Sequence, residues 1–281
     1  MYTLRPAADL ADLADLEPVA RGIFGEGDRP PGWFPRKLHR ERVDPSLSVL
    51  ACEGDDLARV VGYALIGAPA SLPGVARCAG LGLLPSARGA GLGRRLVDAA
   101  RRAAAAADLR ELHVLADPSS RPFYTALGFE ARVDQRTLLA PALGPRAASL
   151  PPPRPWDEPH TRPLGGWLRE AWEGTDDPQR GTLEVHLGGE RSALAHLSRE
   201  GRALLVHRLL VPLDADAADA LTAADALRRR LPFGAPILLY GVADPTLVHS
   251  LETRGWSIAQ ASSVMTMEAW RHQSTREFGH R

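Results

Sequence analysis

Hydrophobic positions change period along the chain. Leu10, Leu13, Leu16 and Val19 recur at near-helical spacing, so a helix is expected there. Residues 2–5, 47–51 and 60–66 read as strands, and the apolar run 78–84 stops at Pro85. Over 91–107, Leu92, Leu96, Ala99 and Ala103 share one helical face. Residues 112–116 then predict a strand, 119–127 a short helix and 137–139 part of a last strand. Helix and strand signals alternate, and the expected class is α+β, a mixed α/β layer with helices flanking a mostly antiparallel twisted sheet.

Eight prolines between 141 and 166 break this pattern. Proline fixes φ and lacks an amide donor, so the segment suits neither a helix interior nor a central strand. It reads as an extended linker. The expected organisation is one domain over 1–141, a Pro-rich linker over 142–163 and a second domain over 164–281. A shift of 127 residues brings the two halves into register without a gap. Pro85 falls on Pro212, Gly128 on Gly255, and Ala116-Asp117-Pro118 on Ala243-Asp244-Pro245. Asp-Pro, Pro and Gly sit where special backbone geometry is needed, so these matches carry more weight than the alanine and arginine matches around them. The halves are read as a tandem duplication.

Composition narrows the class. Hydrophobic residues make up 44% and charged residues 24%, as in a globular domain. Formal net charge is zero, which gives no electrostatic reason to expect nucleic acid or an anionic membrane as partner. Lys37 is the only lysine, and the abundance of arginine and alanine is read as compositional bias. Cys52 and Cys78 have no CxxC spacing, and two thiols do not staple a fold of this size; a reduced, cytoplasmic protein is expected. The nine histidines are scattered, so no metal is expected.

Candidate chemistry centres on Arg88-Gly89-Ala90-Gly91-Leu92-Gly93, which follows a strand and opens a helix. Glycines let backbone approach a ligand, and the first amides of a helix point outward at the positive end of its dipole. Such a turn binds phosphate. Helices ordinarily favour acids in the first turn, yet Arg88, Arg94 and Arg95 stand here and no acid precedes Asp98. A plain tight turn is the bland alternative. The spacing is not GxGxxG, and no P-loop Lys-Ser/Thr follows. In the second half the sign reverses. Asp214, Asp216 and Asp219 occupy the window, Arg88 becomes Ala215, and Gly91 and Gly93 become Ala218 and Ala220. The copy is expected to keep the fold and to have lost the anion site.

Residues 83–129 resemble the signature region of the GNAT superfamily of acetyl-CoA-dependent N-acyltransferases, in a tandem form with a degenerate C-terminal copy. The glycine turn fits the family's Q/R-x-x-G-x-G/A pattern, and Phe123-Tyr124 with Leu127-Gly128-Phe129 fits the later helix. The resemblance implies acetyl transfer from acetyl-CoA to a primary amine, expected to belong to a small molecule, by direct attack. It implies that Arg88 and the segment Gly89, Ala90, Gly91, Leu92, Gly93 and Arg94 bind the pyrophosphate of coenzyme A. Leu81, Leu83 and Leu84 would flank the pantetheine arm, with Asp117 and Phe123 beside it. Tyr124 would be the general acid for the departing thiolate.

Two of these residues have structural alternatives. A tyrosine beside Phe123 can simply be core, and Asp117 before Pro118 suits a helix cap. Asp117 also stands where the family often has Asn, and residues 79–84 lack the family's frequent glutamate base. Glu26, Asp28 and His113 are candidates for that role, and the segment 24–33 is expected to contribute to an acceptor loop. Two non-catalytic readings compete, a coenzyme A-binding or sensing module and a two-domain scaffold. Oligomeric state is open, a homodimer being one option.

Overall fold

Eleven strands join into one mixed sheet in the computed structural model, which describes residues 1–25, 29–145, 149–155, 163–212 and 215–269. The first half supplies β1 (Tyr2–Pro6), α1 (Glu17–Phe24), α2 (Trp33–Arg40), β2 (Val49–Glu53), β3 (Val60–Gly67), β4 (Val75–Leu83), α3 (Leu92–Ala106), β5 (Glu111–Ala116), α4 (Arg121–Ala126) and β6 (Glu130–Pro141). The second supplies α5 (Pro163–Glu173), β7 (Arg180–Gly188), β8 (Arg191–Glu200), β9 (Ala203–Leu210), α6 (Ala217–Arg230), β10 (Pro236–Val242), α7 (Pro245–Thr253) and β11 (Ser257–Glu268).

Local sequence explains these elements. On α3, Leu92, Leu96, Val97, Ala100 and Ala104 are buried, the amphipathic stripe expected of a helix lying on a sheet. Pro122 and Pro245 sit in the first turns of α4 and α7, where a missing amide costs nothing. The region with helical spacing at 10–19 is less regular than its periodicity suggests. It forms short 3-10 turns at Ala7–Asp9 and Leu13–Leu16 before α1 begins. Strand β6 runs for 12 residues, far beyond the 137–139 fragment legible in sequence, because its exposed N-terminal part shows no apolar alternation.

The strand order is β1-β2-β3-β4-β5-β11-β6-β10-β9-β8-β7. Both halves keep the α+β class, and their sheets meet edge to edge. Each half also contributes its last strand across the boundary, with β11 between β5 and β6, and β6 between β11 and β10. The antiparallel register pairs Gln135 with Ser262, its own counterpart under the 127-residue shift. On either side Asp134 faces Ser263 and Arg136 faces Ala261, which are images of one another. A local two-fold axis therefore passes between Gln135 and Ser262, whose buried side chains share a hydrogen bond of 3.4 Å. The duplication read from sequence thus reappears as symmetry in the sheet.

Core packing follows the exchange. Met265 of β11 is buried among Leu96, Tyr124 and Phe129 of the first half. Leu138 and Ala140 of β6 are buried among Leu227, Leu251 and Trp256 of the second. Burying one such large side chain stabilises by about 1.5–3 kcal/mol. Charge pairs bind the other face. Arg36 and Arg40 of α2 both engage Glu200 of β8, and Arg42 meets Glu170 of α5 at 3.0 Å. The described residues of the Pro-rich segment lie along the second half: Ala142 N donates to Ala235 O, and Arg154 N to Thr182 Oγ1. No helix among the described residues is long and apolar enough to cross a membrane.

A fragment ending at residue 145 loses β11 and exposes the inner edges of β5 and β6. We expect no cooperative melting transition from it in circular dichroism. Co-expression with the remaining chain should restore one. A fragment that melts cooperatively by itself contradicts this.

Candidate active site

The site begins where β4 and β5 part. These strands pair in parallel only at Val75–Glu111, Ala76–Leu112 and Arg77–His113, although β4 continues to Leu83 and β5 to Ala116. On its other side β4 stays bonded to β3, with a register irregularity between Leu65 and Ile66 where the partner shifts from Gly80 to Cys78. Bulges re-aim backbone and bend a strand. Residues 78–83 therefore present a backbone edge without a β5 ladder.

Beyond β4 the chain makes a 3-10 turn at Pro85–Ala87, and α3 starts after Gly91. Gly89 and Gly91 have φ of +86° and +70°, a region L side chains rarely adopt, and nothing lies within 4 Å of a Cβ built on either. The helix has no side-chain cap. Its first internal bond is from Arg95 N to Gly91 O. The amides of Leu92, Gly93 and Arg94 thus lack intrahelical acceptors and carry the positive end of the dipole.

A cleft of about 310 Å³ opens over these amides. It is lined by Leu83, Arg88, Gly89, Gly91, Leu92, Gly93, Arg94 and Phe123, with Ala126 and Leu127 completing the wall. The Arg88 side chain is tethered by Nε to Leu83 O at 3.1 Å. Arg94 reaches Ala126 O, whereas Arg95 turns away to Tyr2 O. Ala90 is exposed on the turn. Leu81 lies on β4, and Leu84 reaches toward Gly22 of α1, so neither lines this cleft. Ala126 and Leu127 were missed by the sequence reading because nothing in their residue types signals a ligand. A larger cleft of about 360 Å³ opens between α2 and the second half, beside Arg36, Arg40 and Glu200. Its lining shares no residue with the glycine turn.

The second copy shows the opposite arrangement. Asp216 caps α6, its side chain accepting from Asp219 N at 3.0 Å, while Asp219 returns to Asp216 N at 3.2 Å. Asp219 also pairs with Arg191 at 2.6 Å. This capping box closes a helix start of the kind that α3 leaves without a side-chain cap. Asp214 lies outside the described residues.

Tyr124 is buried on α4 between Phe123 and Phe129, with ring centroids 5.1 and 5.3 Å away. Burial, then the neighbouring Cys78 and Asp117, push the phenol well above its ordinary value, so it stays protonated at neutral pH. Burial likewise pushes the Cys78 thiol up to about 11. The pair offers protons rather than nucleophiles. Asp117 caps the turn into α4: Oδ1 accepts from Ser119 Oγ at 2.7 Å and from Ser120 N at 2.8 Å. Those bonds, led by Ser119, hold its carboxyl below the usual range. Its repeat counterpart Asp244 likewise caps α7, accepting from Thr246 N at 2.8 Å.

On the opposite face, Lys37 donates to Ala79 O at the bulge and lies 3.2 Å from Glu41. Glu41 also meets Arg77 at 2.7 Å. Burial works against the Glu41 carboxylate, but Arg77 and Lys37 outweigh it and hold the group below its ordinary value. Arg77 stacks on Trp167 of α5, 4.4 Å from the ring centre. Of the acceptor-loop candidates, Glu26 and Asp28 lie outside the described residues, whereas Ile23 and Phe24 pack close to Gly82. No cluster of three or more metal-ligating side chains occurs among the described residues.

Residues 11–129 match the family model described as the acetyltransferase (GNAT) family. No curated protein matches the chain. Among solved structures, a tandem GNAT protein from the clavulanic acid biosynthesis pathway, solved without AcCoA, is similar at 17% identity and TM-score 0.57. The match covers 97% of this chain and 99% of that one. A GCN5-related N-acetyltransferase from Sphaerobacter thermophilus is similar at 13% identity and TM-score 0.56, covering 96% of each chain. A putative acetyltransferase from Pyrococcus horikoshii is similar at 15% identity and TM-score 0.56, covering 95% and 89%. At these identities the likeness establishes the fold. Residues 11–129 thus carry the sequence pattern of the GNAT family, and the whole chain has the fold of tandem GNAT proteins. Acyl transfer is the chemistry of that family.

Glu41→Gln should leave Arg77 and Lys37 facing a neutral group and cost about 3 kcal/mol of stability at neutral pH. Because the folded Glu41 value is lowered, its contribution is complete above about pH 4.5 and is lost as pH falls through the folded value. Melting curves from pH 3 to 7 should therefore converge for wild type and variant at the acid end.

Proposed function

We propose that the chain transfers an acetyl group from acetyl-CoA to a primary amine of a small molecule, by direct attack at the first half. The observation that carries this reading is the uncapped N-terminus of α3, framed by Arg88 and Arg94 and opening on a cleft beside the parted strands. A diphosphate is the ligand chemistry suited to that combination of open amides, dipole and guanidinium groups. In this reading Arg88 and the backbone from Gly89 to Arg94 hold the pyrophosphate. The pantetheine arm lies along the edge of residues 81–84, and Phe123 packs beside it.

The thioester then reaches the end of the β4–β5 ladder, near Tyr124. Free backbone donors there polarise the carbonyl, and stabilising the developing oxyanion is the largest expected contribution. The amine nitrogen attacks the carbonyl carbon, the C–N bond forms and the C–S bond breaks. The protonated Tyr124 gives its proton to the departing sulfur. A coenzyme A-binding module without turnover is the competing reading, since Val75–Leu83 carries no carboxylate. Amine-dependent thiol release from acetyl-CoA, measured over a panel of alkylamines and hydroxylamine, separates the two.

Within that assay Arg88→Glu should raise the acetyl-CoA KM strongly while leaving the melting temperature of the apoprotein unchanged. Tyr124→Phe should lower kcat by about 100-fold with little change in KM, as expected for loss of a general acid. Full activity in Tyr124→Phe removes the residue from the chemistry. Unchanged acetyl-CoA binding in Arg88→Glu rejects the anion site.

A further inference from the structure

We infer that Glu111 and His113 form the proton acceptor for the incoming amine, beside Trp167 from the second half. The inference rests on the acetyl-transfer reading and supplies its missing base. His113 is the last residue of β5 to pair with β4, one position before the strands part. Its partner on that rung is Arg77, and the next residue of β4 is Cys78, whose thiol packs on the same core as Tyr124. His113 therefore stands at the fork where the thioester is placed, its side chain on the sheet face opposite Leu112 and Val114. It is 4% exposed.

The chemistry of the imidazole is fixed by its neighbours. Nε2 lies 2.7 Å from Glu111 Oε2. A carboxylate only accepts, so a neutral His113 must carry its proton on Nε2 and present the lone pair at Nδ1. That nitrogen is buried and has no hydrogen-bond partner among the described residues. The His113 ring lies 5.6 Å from the Trp167 ring, whose buried Nε1 donor likewise has none. A bare acceptor and a bare donor side by side suit an ammonium or amine with polar substituents, and buried polar groups of this kind are expected to find partners. The charges facing the site are Glu111 on its own strand and Arg77 of β4, paired with Glu41 of α2. Glu268 of β11 stands opposite Glu111, Arg132 of β6 is bonded to Thr266, and α5 carries Glu170, paired with Arg42.

The protons balance. The ammonium gives one proton to Nδ1, and Glu111 stabilises the imidazolium. The free amine attacks, and as the C–N bond forms its nitrogen loses a second proton, which replaces the one Tyr124 gave to sulfur. The imidazolium proton then passes to solvent. In the second copy the position of His113 is taken by Tyr240 and that of Tyr124 by Leu251, so neither role survives there.

The test compares two acceptors with wild type, His113→Gln and Glu111→Gln. Ethylamine arrives as ammonium at pH 7.5, whereas hydroxylamine arrives neutral and requires no base. His113→Gln should reduce ethylamine-dependent thiol release by about 100-fold and leave hydroxylamine-dependent release within a few-fold. The variant rate with ethylamine should rise with pH only as the amine itself deprotonates. Glu111→Gln should move the acid limb of the wild-type profile to lower pH. An unchanged acetyl-CoA melting shift in both variants shows that the cofactor site is intact. Equal losses with both amines, or no loss with ethylamine, overturn the inference. If wild type releases thiol with neither amine, the acetyl-transfer reading fails. In that event nitrogen-15 imidazole spectra still decide the tautomer, and a His113 protonated on Nδ1 overturns the inference by itself.

Discussion

The pairing of β6 with β11 is the constraint on which this molecule is built. Each strand completes the other half's sheet, and their register sets Gln135 against its repeat counterpart Ser262, with the pairs on one side imaged by those on the other. An antiparallel ladder exchanging two backbone bonds per pair is indifferent to the side chains it carries, so such symmetry can survive divergence of the sequence around it. The second half is thereby held in place by structural need. Met265 is a core residue of the first half, and Leu138 of the second.

That constraint holds the second copy in place although its helix start differs from that of the first. The α3 N-terminus is built on two glycines in left-handed conformations, with arginines around it and no cap. Its counterpart on α6 is closed by Asp216 and Asp219. An open, positively framed helix start is unfavourable for an isolated helix and favourable for one that meets an anion; a capping box reverses both preferences. The two helix starts therefore express different selections on one backbone. The second half still contributes to the first half's site region: α5 lays Trp167 over Arg77 and His113.

Much of this was legible in the chain. The glycine turn announced itself because positive φ and charge sign are properties of single residues read in order. So did Asp117 and Asp244, whose shared Asp-Pro context marks a cap whatever else they do. Most element centres followed from period. What was not legible depends on partners distant in sequence. The strand exchange leaves no trace in composition, since β6 and β11 would show the same pattern paired within their own halves. Tyr124 reads as core or as acid from its neighbours alone, and the structure buries its ring between Phe123 and Phe129. His113 and Glu111 lie two apart on β5, so their contact follows from the strand alone, whereas the contact of His113 with Trp167 needed a helix from the other half to be in place.

The cofactor stoichiometry, read by calorimetric titration with acetyl-CoA and a structure of the resulting complex, bears most directly on the central claim. One molecule per chain, its diphosphate on the amides following Gly91, is the result expected. Two molecules per chain, or a diphosphate seated at the start of α6, would contradict the account.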